Sequence, residues 1–345
     1  MKPTTFLVVL AATAVSVGAA GFAVVSESQR GTPAAAPGGP LFADLLPRAN
    51  DVQTVTVASA AGTLTIARKD AGWALTEAGG YPVAADKVRK LVAGLADLRL
   101  LEAKTDQPER LARLEVEDVA AKDAKSKQVT LAGADGKPLA ALILGKPNAT
   151  LDLNGLSGVY VRKPGEPQAW LAEGAVELPA KTTEWVDRTV VDLAAEKIQR
   201  LHFAPVAAGT VTVAKADKTA TEFGLEPLPE GRSADPEGVQ RLTQAFAAVM
   251  LDDVRADKDT DKAVKAGTVE AATFDGLTLR AELLALDGAT WLRLAASAPE
   301  GSAAAAEAKA INDRVAGWLY KLPQYKAGLL QPKIDDYLKK PDGQS

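Results

Sequence analysis

Apolar positions along this chain change rhythm several times, and each change marks an element. Val52, Val55 and Val57, then Leu64 and Ile66, are β-prone positions separated by Ala61-Gly62, a hairpin signature. Trp73 and Leu75 continue the strand pattern, and Pro82 then marks a turn. Val88, Leu91, Val92, Leu95 and Leu98 follow at i, i+3, i+4, i+7 and i+10, one face of an amphipathic helix. Residues 111–116 read as a short helix or turn. Val129 and Leu131, then Asp135-Gly136, then Leu139 to Leu144 predict a second hairpin with Asp-Gly at its tip. Val159-Tyr160-Val161 and Ala169-Trp170-Leu171 flank Pro164-Gly165-Glu166-Pro167 and predict a further strand pair.

The same order then recurs. The stretch 73–101, strand, turn and helix, has a degenerate second copy at 221–254. Ile198, Leu201 and Phe203 answer the first strand, and Thr210 to Val213 the second. Asp235-Pro236-Glu237 is a helix start, with an N-cap, a Pro in the first turn and an acid near the positive dipole end. Val239, Leu242, Phe246 and Val249 predict that helix's buried face. Phe274-Asp275-Gly276 answers Ala134-Asp135-Gly136, and Trp291-Leu292-Arg293 answers Tyr160-Val161-Arg162. An Ala-rich helix over 302–321 ends at Pro323, and a short helix is predicted over 334–338. The pattern therefore predicts an α+β fold: two tandem, duplicated units of mostly antiparallel sheet with a covering helix, occupying 47–190 and 191–345.

The N-terminal region follows a different pattern. No charge occurs between Lys2 and Glu27. As a helix that interval would be about 36 Å long at about 1.5 Å per residue, enough for a bilayer core. Gly18-Ala19-Ala20 imitates a signal-peptide cleavage site, yet the apolar run continues through Phe22, Val24 and Val25. That favours one uncleaved transmembrane helix over 1–28, and Lys2 favours a cytoplasmic N-terminus. Residues 29–46 read as a Pro/Gly/Ala linker, most plainly in 31–40. The expected location is the inner membrane, single-pass, with the body in the periplasm.

Composition narrows the chemistry. The 345 residues are 47% hydrophobic and 24% charged, a globular balance, and the formal charge of −4 disfavours nucleic acid. With no cysteine, disulfides, thiol catalysis and cysteine-based metal sites are excluded. His202 is the single histidine and alternates with Leu201 and Phe203, as a solvent-facing or hydrogen-bonded strand residue would. Asp257-x-Asp259-x-Asp261 imitates a calcium loop, but the positions that need Gly and Glu hold Lys262 and Thr268, so it reads as a solvated loop. Gly136-Lys137-Pro138 and Gly145-Lys146-Pro147 lack the spacing and the Ser/Thr of a phosphate loop. Paired acids for glycoside hydrolysis need only spatial proximity, and Glu184, Asp187 and Asp192 near the unit junction are the candidates. Trp185 there is able to stack a sugar or be buried, with Arg188 paired to an acid. Trp318, Tyr320 and Tyr325 cluster in the tail, as core contacts or as an exposed partner site.

Several stretches in order resemble the bacterial family called domain of unknown function 4340. They are Gly72-Trp73-x-Leu75, Pro82 to Asp86 leading into the 88–98 helix, Leu144-Gly145, Tyr160-Val161-Arg162, Trp185-x-Asp187-Arg188 and Gly317-Trp318-Leu319-Tyr320 through Tyr325. The resemblance covers about residues 50–330 and implies an N-terminal anchor and an extracytoplasmic body. It also implies partners, the permease and ATPase subunits of gliding-motility-type ABC transporters, and it supplies no catalytic residue. The expectation is a non-catalytic accessory or ligand-recognition subunit of such a system, without cofactor or metal. Partner or ligand contacts are expected at Trp185, Arg188, Trp318, Tyr320 and Tyr325. The alternatives are a carboxylate-dependent cell-envelope hydrolase and a structural envelope protein.

Overall fold

A computed structural model describes residues 38–69, 72–153, 157–179, 181–258, 260 and 262–339. The chain divides into two compact units between Val186 and Asp187. The anchor expected over 1–28 lies outside the described residues. Among the described residues no helix is long and apolar enough to cross a membrane.

The first unit contains β1 (Thr54–Ser59), β2 (Gly62–Lys69), β3 (Gly72–Leu75), β4 (Tyr81–Val83), α1 (Ala85–Asp97), β5 (Arg99–Thr105), α2 (Pro108–Leu114), β6 (Lys127–Ala132), β7 (Pro138–Pro147), α3 (Ala149–Leu153), β8 (Gly158–Arg162) and β9 (Ala169–Glu173). Its nine strands form one sheet in the order β4-β3-β2-β1-β6-β7-β8-β9-β5. Every neighbouring pair is antiparallel. Sequence alternation sets the buried face: Val55 and Val57 on β1, Leu64 and Ile66 on β2, and Val129 and Leu131 on β6 are all buried. The helical period does the same for α1, which buries Val88, Leu91, Val92 and Leu95, with Leu98 buried just beyond its end. Pro82 differs from the expected turn. It lies inside β4, an edge strand, where a residue without an N–H costs no ladder bond on the open side. Leu41 and Leu45, within the stretch read as linker, are buried.

The second unit contains β10 (Thr189–Val191), β11 (Ile198–Pro205), β12 (Val211–Ala214), β13 (Gly224–Glu226), α4 (Pro236–Leu242), β14 (Val249–Met250), β15 (Asp253–Ala256), β16 (Val264–Thr273), β17 (Thr278–Leu286), β18 (Ala289–Ser297), α5 (Ala305–Val315), β19 (Trp318–Lys321) and α6 (Gln324–Leu329). Eight strands form an antiparallel sheet in the order β13-β12-β11-β16-β17-β18-β19-β15, and β10 pairs with β14 alone. Set against the first sheet, β11–β13 occupy the places of β1–β3, and β15–β19 those of β5–β9. The two orders coincide except that β4 has no counterpart in the second sheet.

Two predicted helices are shorter than the periodicity suggests. The helix expected through Val249 stops at Leu242, and Ala248 takes a left-handed φ of 44° before Val249 enters β14. Phe246 and Val249 are nevertheless fully buried, so the apolar face was correct and the backbone was not. The tail helix ends at Val315, and Gly317, at φ 83°, turns the chain into β19. Trp318 to Lys321 are thus a strand between β18 and β15, not a helix end. α5 is pinned to β18 by Asn312, whose side-chain amide accepts from Ala296 N–H and donates to Ala296 C=O, both at 2.8 Å.

Candidate functional site

The residues around the unit junction are held by backbone contacts. In the first unit, the Trp185 indole is completely buried and its Nε1 donates to Pro179 O at 3.1 Å. Its carbonyl accepts from Ala84 N–H at 3.1 Å, and Lys87 Nζ donates to Glu184 O and, at 3.5 Å, to Val186 O. The start of α1 therefore clasps residues 184–186. In the second unit, Arg188 Nε donates to Leu251 O at 3.2 Å and its Nη2 lies 3.4 Å from Asp252 Oδ1. Asp252 N–H in turn donates to Lys321 O at 2.8 Å, which places Arg188 beside the end of β19.

The tail aromatics divide. Tyr320 is fully buried, with its hydroxyl donating to Arg314 O at 3.4 Å. Trp318 is half-buried on the same strand. Tyr325 is 69% exposed and is the one tail aromatic presented freely to solvent. Trp185 and Tyr320 can meet a partner only if their units open locally, whereas Arg188 and Tyr325 are accessible as they stand.

The three candidate acids each accept a backbone N–H. Glu184 Oε2 takes Lys181 N–H at 3.0 Å, Asp187 Oδ1 takes Thr189 N–H at 2.9 Å, and Asp192 Oδ1 takes Ala248 N–H at 2.8 Å. The first two are local turn or cap bonds of the kind acidic side chains make to nearby backbone, whereas Asp192 reaches 56 residues along the chain to the left-handed Ala248. His202 Nδ1 lies 3.0 Å from Thr212 Oγ1, its direct cross-strand neighbour.

Asp257 departs from the solvated loop expected of it. Arg293 on β18 grips it through two bonds, Nε to Oδ2 at 2.5 Å and Nη2 to Oδ1 at 2.7 Å, and also bonds Glu282. These carboxylates, Asp257 first, push the guanidinium pKa further up. Asp259 and Asp261 lie outside the described residues. Among the described residues no group of three or more acids, histidines or cysteines is placed to hold a metal ion.

Two charged residues without an expected role are buried. Arg162 on β8 is 4% exposed and donates to Val116 O at 2.7 Å, Glu166 O at 2.9 Å and Asp118 Oδ1 at 2.5 Å. It occupies the strand equivalent to that of Arg293. The available signal was an arginine at a matching strand position in both units. Lys326 on α6 is 5% exposed and donates to Gln244 O at 3.0 Å and Ala247 O at 2.8 Å, a cation closing the turns that follow α4. Burial pushes its amine below the ordinary lysine range, and the nearby Asp192 charge opposes that shift.

Arg162 allows a direct comparison. Arg162→Met is expected to cost roughly 1–3 kcal/mol, because it strands carbonyl acceptors that include that of buried Val116. Asp118→Asn should cost under about 1 kcal/mol, since that carboxylate is 66% exposed and water replaces its partner. Urea unfolding of the two variants checks the difference; equal costs would mean that the ion pair, not the carbonyl clasp, matters.

The second unit also holds a cavity of about 190 Å³ with Leu193, Leu279 and Ile311 as its apolar lining and Asp192, Glu307 and Arg314 as its polar lining. Lys197 Nζ engages Glu307 at 3.1 Å. The volume is below the roughly 300–1,000 Å³ of ordinary small-molecule pockets.

The family described as "Domain of unknown function (DUF4340)" matches residues 73–268, more than half of the chain. The chain belongs to the DUF4340 family. The match starts at Trp73 on β3 and ends within β16, so it spans the junction and includes Trp185 and Arg188. No curated protein and no solved structure matches the chain.

Proposed function

We propose that this DUF4340 protein is a membrane-anchored, periplasmic accessory or ligand-recognition subunit of an ABC-type transport system. It sits in the inner membrane by a single N-terminal span, with its N-terminus in the cytoplasm, and leaves nucleotide hydrolysis to other chains. The observation that carries the non-catalytic part is the junction. Glu184, Asp187 and Asp192, the acids best placed in sequence for hydrolysis, each hold a backbone N–H. The uncharged interval before Glu27 supports the anchor, and the family resemblance supports the transporter association. We further propose that the two units arose by tandem duplication. The shared strand order supports this, as does the matching pair of strand arginines, Arg162 and Arg293.

Affinity purification of the full chain from detergent-solubilised membranes tests the reading. A permease and an ATPase should be retained through a high-salt wash and identified by mass spectrometry. Recovery of the chain alone would overturn it. So would hydrolysis of envelope polymer by the purified chain that is lost in a folded Asp187→Asn variant; a general acid or base supplies roughly 10²–10⁴-fold.

A further inference from the structure

The cavity in the second unit is small, apolar at its floor and charged at its rim. One stripe of α5, Glu307, Ala310, Ile311 and Arg314 at i, i+3, i+4 and i+7, forms one wall. The other wall includes Asp192 and Leu193, just after β10, and Leu279 on β17. Leu193, Leu279 and Ile311 are buried, whereas Asp192, Ala310 and Arg314 are exposed. The volume is about 190 Å³. An apolar cavity of about 150 Å³ admits benzene, so this one has room for roughly eight non-hydrogen atoms. That is well short of a drug-sized molecule.

The charges at the rim select among ligands of that size. Glu307 is already held by Lys197, at 3.1 Å. Arg314 lies two turns further along α5, about 10 Å at ~1.5 Å per residue, and forms no ion pair among the described residues. Asp192 spends Oδ1 on Ala248 N–H, and its Oδ2 makes no hydrogen bond among the described residues. One cation and one carboxylate therefore line the same cavity without pairing with each other. A purely apolar ligand would desolvate part of both charges and return nothing for them. A zwitterion satisfies both: its carboxylate matches the planar guanidinium fork, and its ammonium takes the remaining carboxylate oxygen.

We infer that this cavity binds a small aliphatic zwitterion, an α-amino acid of about the size of valine. Its carboxylate meets Arg314, its ammonium meets Asp192, and its side chain rests on Leu193, Leu279 and Ile311. The inference deepens the ligand-recognition part of the proposed function and rests on it. The two fail separately. A chain that retains permease and ATPase but does not bind valine overturns the site alone. A chain that binds valine but is recovered without partners overturns the transporter association and leaves the site standing.

Isothermal titration calorimetry of the full chain in detergent, with L-valine as the probe, tests the inference. Valine should bind saturably. Isobutylamine, which lacks the carboxylate, and isovalerate, which lacks the ammonium, should each bind at least about tenfold more weakly, since each leaves a charged hydrogen bond unmade. L-Tryptophan, too large for the cavity, should lose at least about tenfold as well. Arg314→Gln and Asp192→Asn should each weaken valine by about tenfold or more. Both should keep the fold, because Arg314 is exposed and an Asn oxygen still accepts Ala248 N–H. Ala310→Leu, at an exposed position on α5, should block the cavity and abolish binding, with thermal melting unchanged. Hydrogen exchange resolved by peptide should show valine protecting α5 and residues 191–193. No saturable valine binding would overturn the inference, as would either single-charge analogue binding equally well, binding that ignores Arg314→Gln, or protection confined to other segments.

Discussion

Trp185→Ala is expected to destabilise the first unit by roughly 3–5 kcal/mol, the usual cost of truncating a buried tryptophan. The indole is completely buried, and its Nε1–H is satisfied by Pro179 O, so truncation both empties the site and strands an acceptor. Trp185→Phe separates the two effects. It keeps most of the apolar volume, loses the N–H donor, and should cost about 1 kcal/mol. Hydrogen exchange resolved by peptide is the appropriate measurement, because protection across β1, β6 and β7 reports the first unit by itself. The result bears on function as well as stability. A Trp185→Ala chain that stays stable to within about 1 kcal/mol yet loses its co-purifying partners would mean that the indole faces a partner.

Leu95→Ala is the second large effect, roughly 2–5 kcal/mol. Leu95 is fully buried on α1, at the i+4 position from Leu91, which is also fully buried. Leu95→Met, close in volume, should cost less than about 1.5 kcal/mol. Leu46→Ala supplies the control: its side chain is 62% exposed, and its loss should stay within about 0.5 kcal/mol. Urea midpoints of the three variants at constant slope give the comparison. A loss below about 1 kcal/mol for Leu95→Ala would place that helix face outside the core.

The hairpins were the most legible part of the fold. Ala61-Gly62, Asp135-Gly136 and Pro164-Gly165 each lie at or beside the connection between strands that then pair with each other. Turn chemistry acts over a few residues and needs no information from elsewhere. α1 was legible for the same reason, since its apolar period states which face is buried before any partner is known. The tail was not. Trp318 to Lys321 follow closely on an Ala-rich helix, and pairing with β18 on one side and β15 on the other is what makes them a strand.

The candidate site was legible in its residue types and not in their roles. Trp185 and Tyr320 are core residues, whereas Arg188 and Tyr325 are accessible, although all four sit in equally aromatic or charged stretches. Arg162 and Arg293 looked like strand charges, yet each is the centre of a clasp reaching segments far away in sequence, Val116 and Asp118 for one and Asp257 for the other. Asp257 looked like a loop acid and is the partner in the second of these.

By itself the sequence determined the α+β class, the hairpins, the α1 face and the family, because each depends on local period, turn chemistry or ordered motifs. Tertiary structure alone decided that β1 lies beside β6, that β5 closes the first sheet against β9, and that β19 completes the second. Backbone N–H and C=O groups are the same at every residue, so nothing local names the strand they will pair with. That choice is made when burying the apolar faces together satisfies all the ladders at once, and it also decides which charged side chains end inside and which strands lie at the edges.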